Sequence, residues 1–183
     1  MVVILSILLL VALIVFWVVS IYNRLVRMSN LKNEAWSGID VQLKRRFDLI
    51  PNLVETVKGY ATHEKEVFER VTEARAAITR AHTVSERAES ENMLTGALKT
   101  LFAVAENYPA LQASSNFHQL QEQLTSLEND IQMARRYYNG AARDYNIAIE
   151  TFPAVLVAKR FGYEKADYFE TAEEERTTPK VSF

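Results

Sequence analysis

The chain has no cysteine, few residues that break helices, and almost no excess of either charge. Without cysteine there are no disulfides and no thiol nucleophile, which fits a reducing compartment and equally a periplasmic domain built without disulfides. Only five glycines and four prolines occur in 183 residues, so we expect an almost wholly helical protein. The formal charge of −2 leaves no basic footprint for nucleic acid and no polybasic lipid-binding run.

The opening segment also lacks charge, because no charged side chain occurs in the first 22 residues. Residues 2–21 include only two serines as polar residues, and a helix of that length spans ~30 Å, the hydrocarbon thickness of a bilayer. Trp17 and Tyr22 stand where aromatic rings prefer the membrane–water boundary. The sequence therefore predicts a transmembrane anchor over residues 1–22, with residues 2–21 in contact with the lipid bilayer.

Two other interpretations compete with a permanent membrane helix. A cleaved signal peptide needs a basic start, a shorter apolar core and a small-residue cleavage site, whereas Val18-Val19-Ser20 is a poor site and no Lys or Arg precedes the run. A buried core helix needs apolar cover on all sides, which the downstream sequence lacks. Arg24, Arg27 and Lys32 follow the anchor. We therefore expect a single-pass protein of the inner cell membrane with a cytoplasmic C-terminal domain.

An apolar stripe at helical spacing runs through residues 31–78. Pro51 interrupts the stripe chemically but not in phase, so we expect one kinked helix. The alternative is that Pro51 opens a second helix, a position that proline tolerates. A break is predicted near Ala81-His82, followed by a capping box of Thr83 and Glu86 that begins the next helix.

The two following helices have apolar faces of their own. The first is predicted to end at about Ala105, before Asn107-Tyr108-Pro109. Its expected buried face consists of Met93, Leu94, Ala97, Leu98, Leu101 and Phe102. The last long helix has an apolar seam spaced alternately by three and four residues, as in a coiled coil or long antiparallel bundle. The seam residues are Phe117, Leu120, Leu124, Leu127, Ile131, Ala134, Tyr138, Ala141, Tyr145, Ala148 and Phe152. We expect Asn116 with Gln119 to cap its start and Pro153 to fix its end.

No motif indicates a catalytic, cofactor or metal site, and none is expected. His63 and Glu64 lack the second histidine of a zinc-protease motif, and the three histidines share no ligand spacing. Asp40, Arg46 and Glu64 fall near the apolar stripe. An ion pair or network between helices is the favoured interpretation of these charges, over an acid–base role.

The asparagines beside the seam are interpreted as packing devices. Asn139 and Asn146 each follow a tyrosine and lie one heptad apart, and an asparagine beside a seam fixes register and choice of neighbour. The alternative is a ligand groove among Tyr108, Tyr137, Tyr138 and Tyr145. Residues 171–183 are polar and acidic, which predicts a flexible tail.

A set of motifs at ordered distances carries a resemblance to a known family. The motifs are Tyr22-Asn23-Arg24-Leu25-Val26, residues 42–54, Gly59-Tyr60-Ala61, His63-Glu64, Glu106-Asn107-Tyr108-Pro109, Asn116-Phe117, Leu120-Gln121, Glu128-Asn129, Ile131, Ala134-Arg135, Tyr138-Asn139, Tyr145-Asn146 and Phe152-Pro153. With these motifs the chain resembles the LemA family of bacterial membrane proteins. The resemblance implies a single N-terminal membrane helix, an elongated antiparallel helical bundle and no established enzymatic activity. It also suggests membrane organisation or quality control.

Together these features predict an all-α chain. Its expected parts are the anchor of residues 1–22, an elongated antiparallel bundle of three to four long helices over residues 23–170, and the tail of residues 171–183. A tether, long seams and no catalytic motif favour a non-enzymatic scaffold that self-assembles or docks partners through these seams. Expected partners are the bilayer, further copies of the chain and a membrane protein, with no nucleic acid. The alternatives are an adaptor of a membrane protease or envelope-stress system and a membrane-shaping oligomer.

Overall fold

The computed structural model describes residues 1–170, and they form an all-α structure. Six helices follow one another in this part of the chain: α1 (Val2–Lys58), α2 (Lys65–Arg80), α3 (Val84–Ala105), α4 (Pro109–Gln112), α5 (Ser115–Glu150) and α6 (Ala154–Arg160). Three of them are long, with 57, 22 and 36 residues in α1, α3 and α5. No strand occurs within residues 1–170. The predicted all-α class with three to four long helices is confirmed.

Helix α1 passes through Pro51, so this proline does not separate two helices. Pro51 is half-buried within the helix, where it lacks the N–H that would bond to a carbonyl four residues earlier. The predicted continuation of this helix over residues 31–78 is wrong. Helix α1 ends at Lys58, and the chain turns over residues 59–64 before α2 begins.

The turn at residues 59–64 keeps the apolar stripe in phase, which explains why the sequence pattern did not reveal it. Ala61 lies in the turn and is fully buried. Val57 before it and Phe68 after it are also buried. The Ala61 N–H donates to the Val57 carbonyl at 2.9 Å. The buried face therefore passes from one helix to the next although the backbone leaves the helical path.

Helix α3 begins with the predicted capping box. The Glu86 N–H donates to the Thr83 hydroxyl at 3.1 Å, and the Glu86 carboxylate accepts from the N–H groups of His82 and Thr83 at 2.8 and 3.1 Å. These backbone hydrogen bonds lower the pKa of the Glu86 carboxyl. The helix ends at Ala105 as expected. The prediction that Met93 belongs to the buried face of this helix is wrong, because its side chain is 49% exposed.

Helix α5 buries most of the predicted seam. All seam residues before Phe152 are buried except Ala134, which is half-buried. Phe152 is 76% exposed, because the helix ends at Glu150 and the seam no longer continues in phase. Asn116 does not cap the start, since it lies inside the helix and donates to the Thr56 hydroxyl at 3.2 Å.

The described chain divides into two compact units. Unit 1 comprises Met1–Gly38 and Arg136–Asp167, and its core consists of Leu25, Tyr145, Ala148, Ile149, Val157 and Ala158. Its helix α6 ends before Gly162, whose φ of +71° lies in the left-handed region that glycine adopts without strain.

Unit 2 begins at Ile39, runs to Arg135, and also includes residues 168–170. Side chains from α1, α2, α3, α4 and α5 meet in one apolar core. Its fully buried members include Ile50, Leu53, Val71, Leu94, Leu101 and Leu111. The predicted division at residue 22 remains a prediction, and the predicted tail of residues 171–183 lies outside the described residues.

Candidate functional site

A buried arginine is the centre of a polar network inside unit 2. The Arg46 side chain comes from α1 and is 1% exposed. Its Nη2 atom donates to the Glu91 carboxylate of α3, and its Nη1 atom donates to Glu128 Oε2 of α5 at 2.5 Å. The same Nη1 atom donates to the Thr95 hydroxyl at 3.1 Å. One guanidinium thus connects three helices through charge-assisted hydrogen bonds.

Glu91 is fully buried and has a second cationic partner. Arg87 Nε donates to Glu91 Oε1 at 3.0 Å, and Arg87 Nη2 lies 3.7 Å from Asp40 Oδ1. Because each buried charge has a partner of opposite sign, the cost of removing it from water is offset. The interpretation as an ionic network is confirmed for Arg46. Asp40 is instead exposed and joins the network at its edge through Arg87.

Three buried or half-buried charges are not predicted from the sequence, namely Glu91, Arg87 and Arg135. The signal for Glu91 is its position in the apolar stripe of α3, which also contains Ala88, Leu94 and Leu98. Arg135 is 3% exposed, and its guanidinium lies 4.6 Å from the centre of the Phe169 ring. That contact joins α5 to a distant segment of the chain, so local spacing contains no signal for it.

Two buried tyrosines of α5 hold the extended segment after α6 in unit 1. The Tyr138 hydroxyl donates to the Asp167 carbonyl and the Tyr145 hydroxyl donates to the Glu164 carbonyl, both at 2.8 Å. Burial raises the pKa of Tyr138 to about 12 and also raises the pKa of Tyr145. Of the four tyrosines named for a ligand groove, Tyr138 and Tyr145 therefore have hydroxyls that are bonded to the chain's own backbone.

Asn146 holds the same extended segment through a pair of hydrogen bonds. Its Oδ1 atom accepts from the Ala166 N–H at 2.8 Å, and its Nδ2 atom donates to the Ala166 carbonyl at 2.9 Å. The side chain is 2% exposed, and a buried amide needs both a donor and an acceptor nearby. This geometry is a packing contact, as interpreted from the sequence.

The other residues selected from the sequence do not form a joint site. His63, His82 and His118 are exposed, and they lie in the turn after α1, in the α2–α3 link and in α5. Glu64 is half-buried and accepts a hydrogen bond from the Tyr108 hydroxyl at 2.8 Å, which raises the pKa of Tyr108. Within residues 1–170 no three metal-binding side chains lie together.

Most of the apolar segment of α1 is exposed, and only its last turns, at Val18 and Ile21, pack against the core of unit 1. Its most hydrophobic window is 0% buried, and Leu10 and Phe16 are 59% and 74% exposed. A core helix would be largely buried, so this exposure excludes the core-helix interpretation. The segment is long and apolar enough to cross a membrane, a property that signal sequences share.

From residue 35 onward the sequence matches a protein-family model, and the match continues to residue 183, over most of the chain. The chain belongs to the LemA family. The recognition made from the ordered motifs is therefore confirmed. LemA-family membership and the apolar helix both fit a membrane protein.

Curated relatives of this LemA-family chain come from three bacteria. It is 28% identical to Protein LemA of Metamycoplasma hominis, with 87% of this chain and 74% of that protein aligned. It is 26% identical to Magnetosome protein MamQ 2 of Paramagnetospirillum magneticum and 24% identical to Magnetosome protein MamQ of Magnetospirillum gryphiswaldense. Each magnetosome alignment covers 81% of this chain but only 64% of the relative's length. None of these names states a catalytic activity.

We expect Arg46→Met to lower the free energy of unfolding by about 3 kcal/mol, because Glu91 stays buried with one cation instead of two. The double variant Arg46→Met/Glu91→Leu should lose less, since it removes the undercompensated carboxylate as well. Urea unfolding of the detergent-solubilised chain, followed by far-UV circular dichroism, measures both losses. The control Arg70→Met removes an exposed pair with Glu66 and should cost about 0–1 kcal/mol. A double variant less stable than Arg46→Met would contradict this account.

We expect the raised pKa of Tyr138 to make the folded chain lose stability at alkaline pH. Unfolded tyrosine ionises near its ordinary value of ~10, whereas in the fold the pKa is about 12. The stabilisation is therefore complete below the unfolded value and is lost as the pH rises through the folded value. Urea midpoints measured from neutral to alkaline pH should fall less steeply for Tyr138→Phe. The control Tyr137→Phe changes a ring that is 56% exposed. The idea fails if Tyr138→Phe and the unmodified chain give parallel profiles.

Proposed function

We propose that this LemA-family chain is a membrane-anchored, non-catalytic scaffold that self-assembles or docks partner proteins. The observation that supports the proposal is the bare apolar start of α1, whose most hydrophobic window is 0% buried. An apolar surface of that size is stable in lipid and not in water. Since the same helix continues to Lys58, the anchor and the polar part of α1 share one backbone.

The names of the relatives support a non-catalytic role. Two of them are magnetosome proteins, and that name refers to a cellular structure and not to a reaction. The polar networks support the same conclusion, because Arg46 and Asn146 are each buried and bonded within the chain. A catalytic group instead needs access to a substrate.

We place assembly on surfaces other than the predicted seams, because every seam residue before Phe152 is buried or half-buried within the chain. In unit 1 the outward face of α5 has Tyr137 and Ile147, which are 56% and 54% exposed. Gly140 and Asp144 lie between them at spacings of three and four residues, so the four positions share one helix face. We assign the contact with other copies or partners to this face, since exposed tyrosine is enriched at protein–protein interfaces.

We propose that the chain after α1's apolar segment lies in the cytoplasm. Arg24 and Arg27 are exposed just after the segment, and positive charge next to a span favours the cytoplasmic side. Lys32 lies one turn further on, with its ammonium 4.7 Å from the centre of the Tyr145 ring. The two arginines therefore carry most of the orienting charge that is free to meet the membrane surface.

A cysteine-free chain allows the assembly surface to be tested with single cysteines. In native membranes we expect thiol cross-linking to convert Tyr137→Cys into dimers or into adducts with a partner protein. Ser85→Cys, exposed on α3, serves as the matched control and should remain monomeric. Mass spectrometry of the cross-linked bands identifies the partner as a second copy or another membrane protein. A strictly monomeric Tyr137→Cys with no adduct would contradict the scaffold proposal.

The Ser85→Cys variant also reports the side of the membrane. A membrane-impermeant maleimide should label it only after spheroplasts are permeabilised, because the proposed location is cytoplasmic. A maleimide that crosses membranes should label it in both preparations, which controls for the reactivity of the thiol. Labelling of intact spheroplasts by the impermeant reagent would show the opposite orientation.

A further inference from the structure

The chain around α6 exposes a cluster of large apolar side chains in unit 1. Phe152, Leu156 and Phe161 are 76%, 61% and 55% exposed. Leu156 lies on the outward face of α6, because its neighbours Val157 and Ala158 pack in the core of unit 1. Phe152 precedes the helix and Phe161 follows it. Clustered apolar side chains that face away from a core mark a surface that contacts a partner or a membrane. We call residues 152–161 the α6 tip.

The α6 tip lies beside the last turns of the apolar segment of α1. The Phe161 and Tyr22 rings are 4.8 Å apart between their centres. A groove of about 280 Å³ is lined by Trp17 and Ile21 from α1 and by Phe152 from the tip. Since a helix rises ~1.5 Å per residue, Trp17 lies ~6 Å before Ile21 along α1. Phe152 therefore lies beside residues 17–21, at the end of the proposed span of α1.

Basic side chains flank the apolar cluster. Lys159 and Arg160 are exposed on α6, and Arg24 lines the groove beside Phe152. Asp144 also lines this groove, and its carboxylate is paired with Arg143 at 3.0 Å. Apolar side chains with basic neighbours are typical of segments that enter a bilayer by ~5–10 Å. Their cationic groups remain at the level of the lipid phosphates.

We propose that the α6 tip is a second membrane contact that inserts Phe152, Leu156 and Phe161 at the headgroup–acyl boundary beside α1. This inference rests on the proposed membrane span of α1, which sets the level of the tip. The occupant is lipid because the exposed cluster continues the lipid-facing surface of α1 and has cations beside it. A second point of contact limits how far unit 1 can tilt on the membrane surface.

Fluorescence quenching in vesicles tests the proposal with the full chain. Single cysteines replace Leu156 at the tip, Leu10 in the span and Ser85 on α3, and each is labelled with an environment-sensitive fluorophore. The variants are reconstituted into phosphatidylcholine–phosphatidylglycerol vesicles that contain lipids with a nitroxide either near the headgroup or near the end of the acyl chain. Leu156 is 61% exposed, so its replacement should leave the fold intact, and circular dichroism checks this.

We expect the Leu156→Cys probe to emit at shorter wavelength than the Ser85→Cys probe and to be quenched most by the headgroup-proximal nitroxide. The Leu10→Cys probe should be quenched most by the deep nitroxide. If Leu10→Cys is quenched but Leu156→Cys has the aqueous spectrum of Ser85→Cys, the second contact is wrong and the span stands. A blue-shifted Leu156→Cys probe that no lipid nitroxide quenches overturns the lipid assignment, because protein then covers the tip. If lipid quenches neither probe, the membrane anchor itself is wrong.

Discussion

The exposed apolar start of α1 is the constraint on which the rest of the structure depends. Residues 2–21 contain no charge, and their most hydrophobic window is 0% buried. Exposure of such a surface to water is unfavourable. A bilayer accommodates it, because the length of the apolar helix matches the thickness of the hydrocarbon core. The backbone polar groups are satisfied within the helix, as lipid requires. Within the segment the Ser6 hydroxyl donates to the Val2 carbonyl of the same helix at 3.0 Å, and the described networks between helices begin beyond it.

The core of unit 2 contains an ionic network that specifies how α1, α3 and α5 pack against one another. Leucine and alanine at helical spacing favour burial but specify few exact neighbours. Arg46 has a stricter requirement, because it must meet carboxylates on two different helices at the same time. A shift of one helical turn in any of the three helices would leave a charge without a partner in a medium of low dielectric constant. We infer that this network fixes the register of α1, α3 and α5 within the unit.

Local chemistry and periodicity were sufficient to predict much of this fold. The capping box at Thr83 depends on two residues three positions apart, and the seam of α5 depends on a simple repeat, so both can be predicted from the sequence. The end of α1 cannot be predicted in this way, because Ala61 keeps the apolar spacing in phase through the turn. Helix α6 is also absent from the prediction, because Pro153 is taken to end the last long helix, whereas in the structure it directly precedes α6.

The candidate sites were less predictable, for a physical reason. Glu91 had a local signal in its apolar surroundings, but its partner Arg46 lies 45 residues away in the sequence. The α6 tip depends on where a return segment packs against α1, which no local pattern contains. The spacing of residues in the sequence therefore indicates whether a charge or an aromatic ring is buried or exposed. Only the folded structure shows which residues it contacts.

The extended segment after α6 is held largely through its backbone. Tyr138, Tyr145 and Asn146 bond to peptide groups of residues 164–167. The exposed side chains of Glu164 and Asp167 can therefore be exchanged while these attachments persist. Lys165 and Ala166 are more constrained, because Lys165 donates to the Glu150 carboxylate at 2.9 Å and Ala166 packs against the core of unit 1. Proline at position 166 would also remove the N–H that Asn146 accepts. Positions 164 and 167 are therefore places where new side chains could be displayed without loosening the protein.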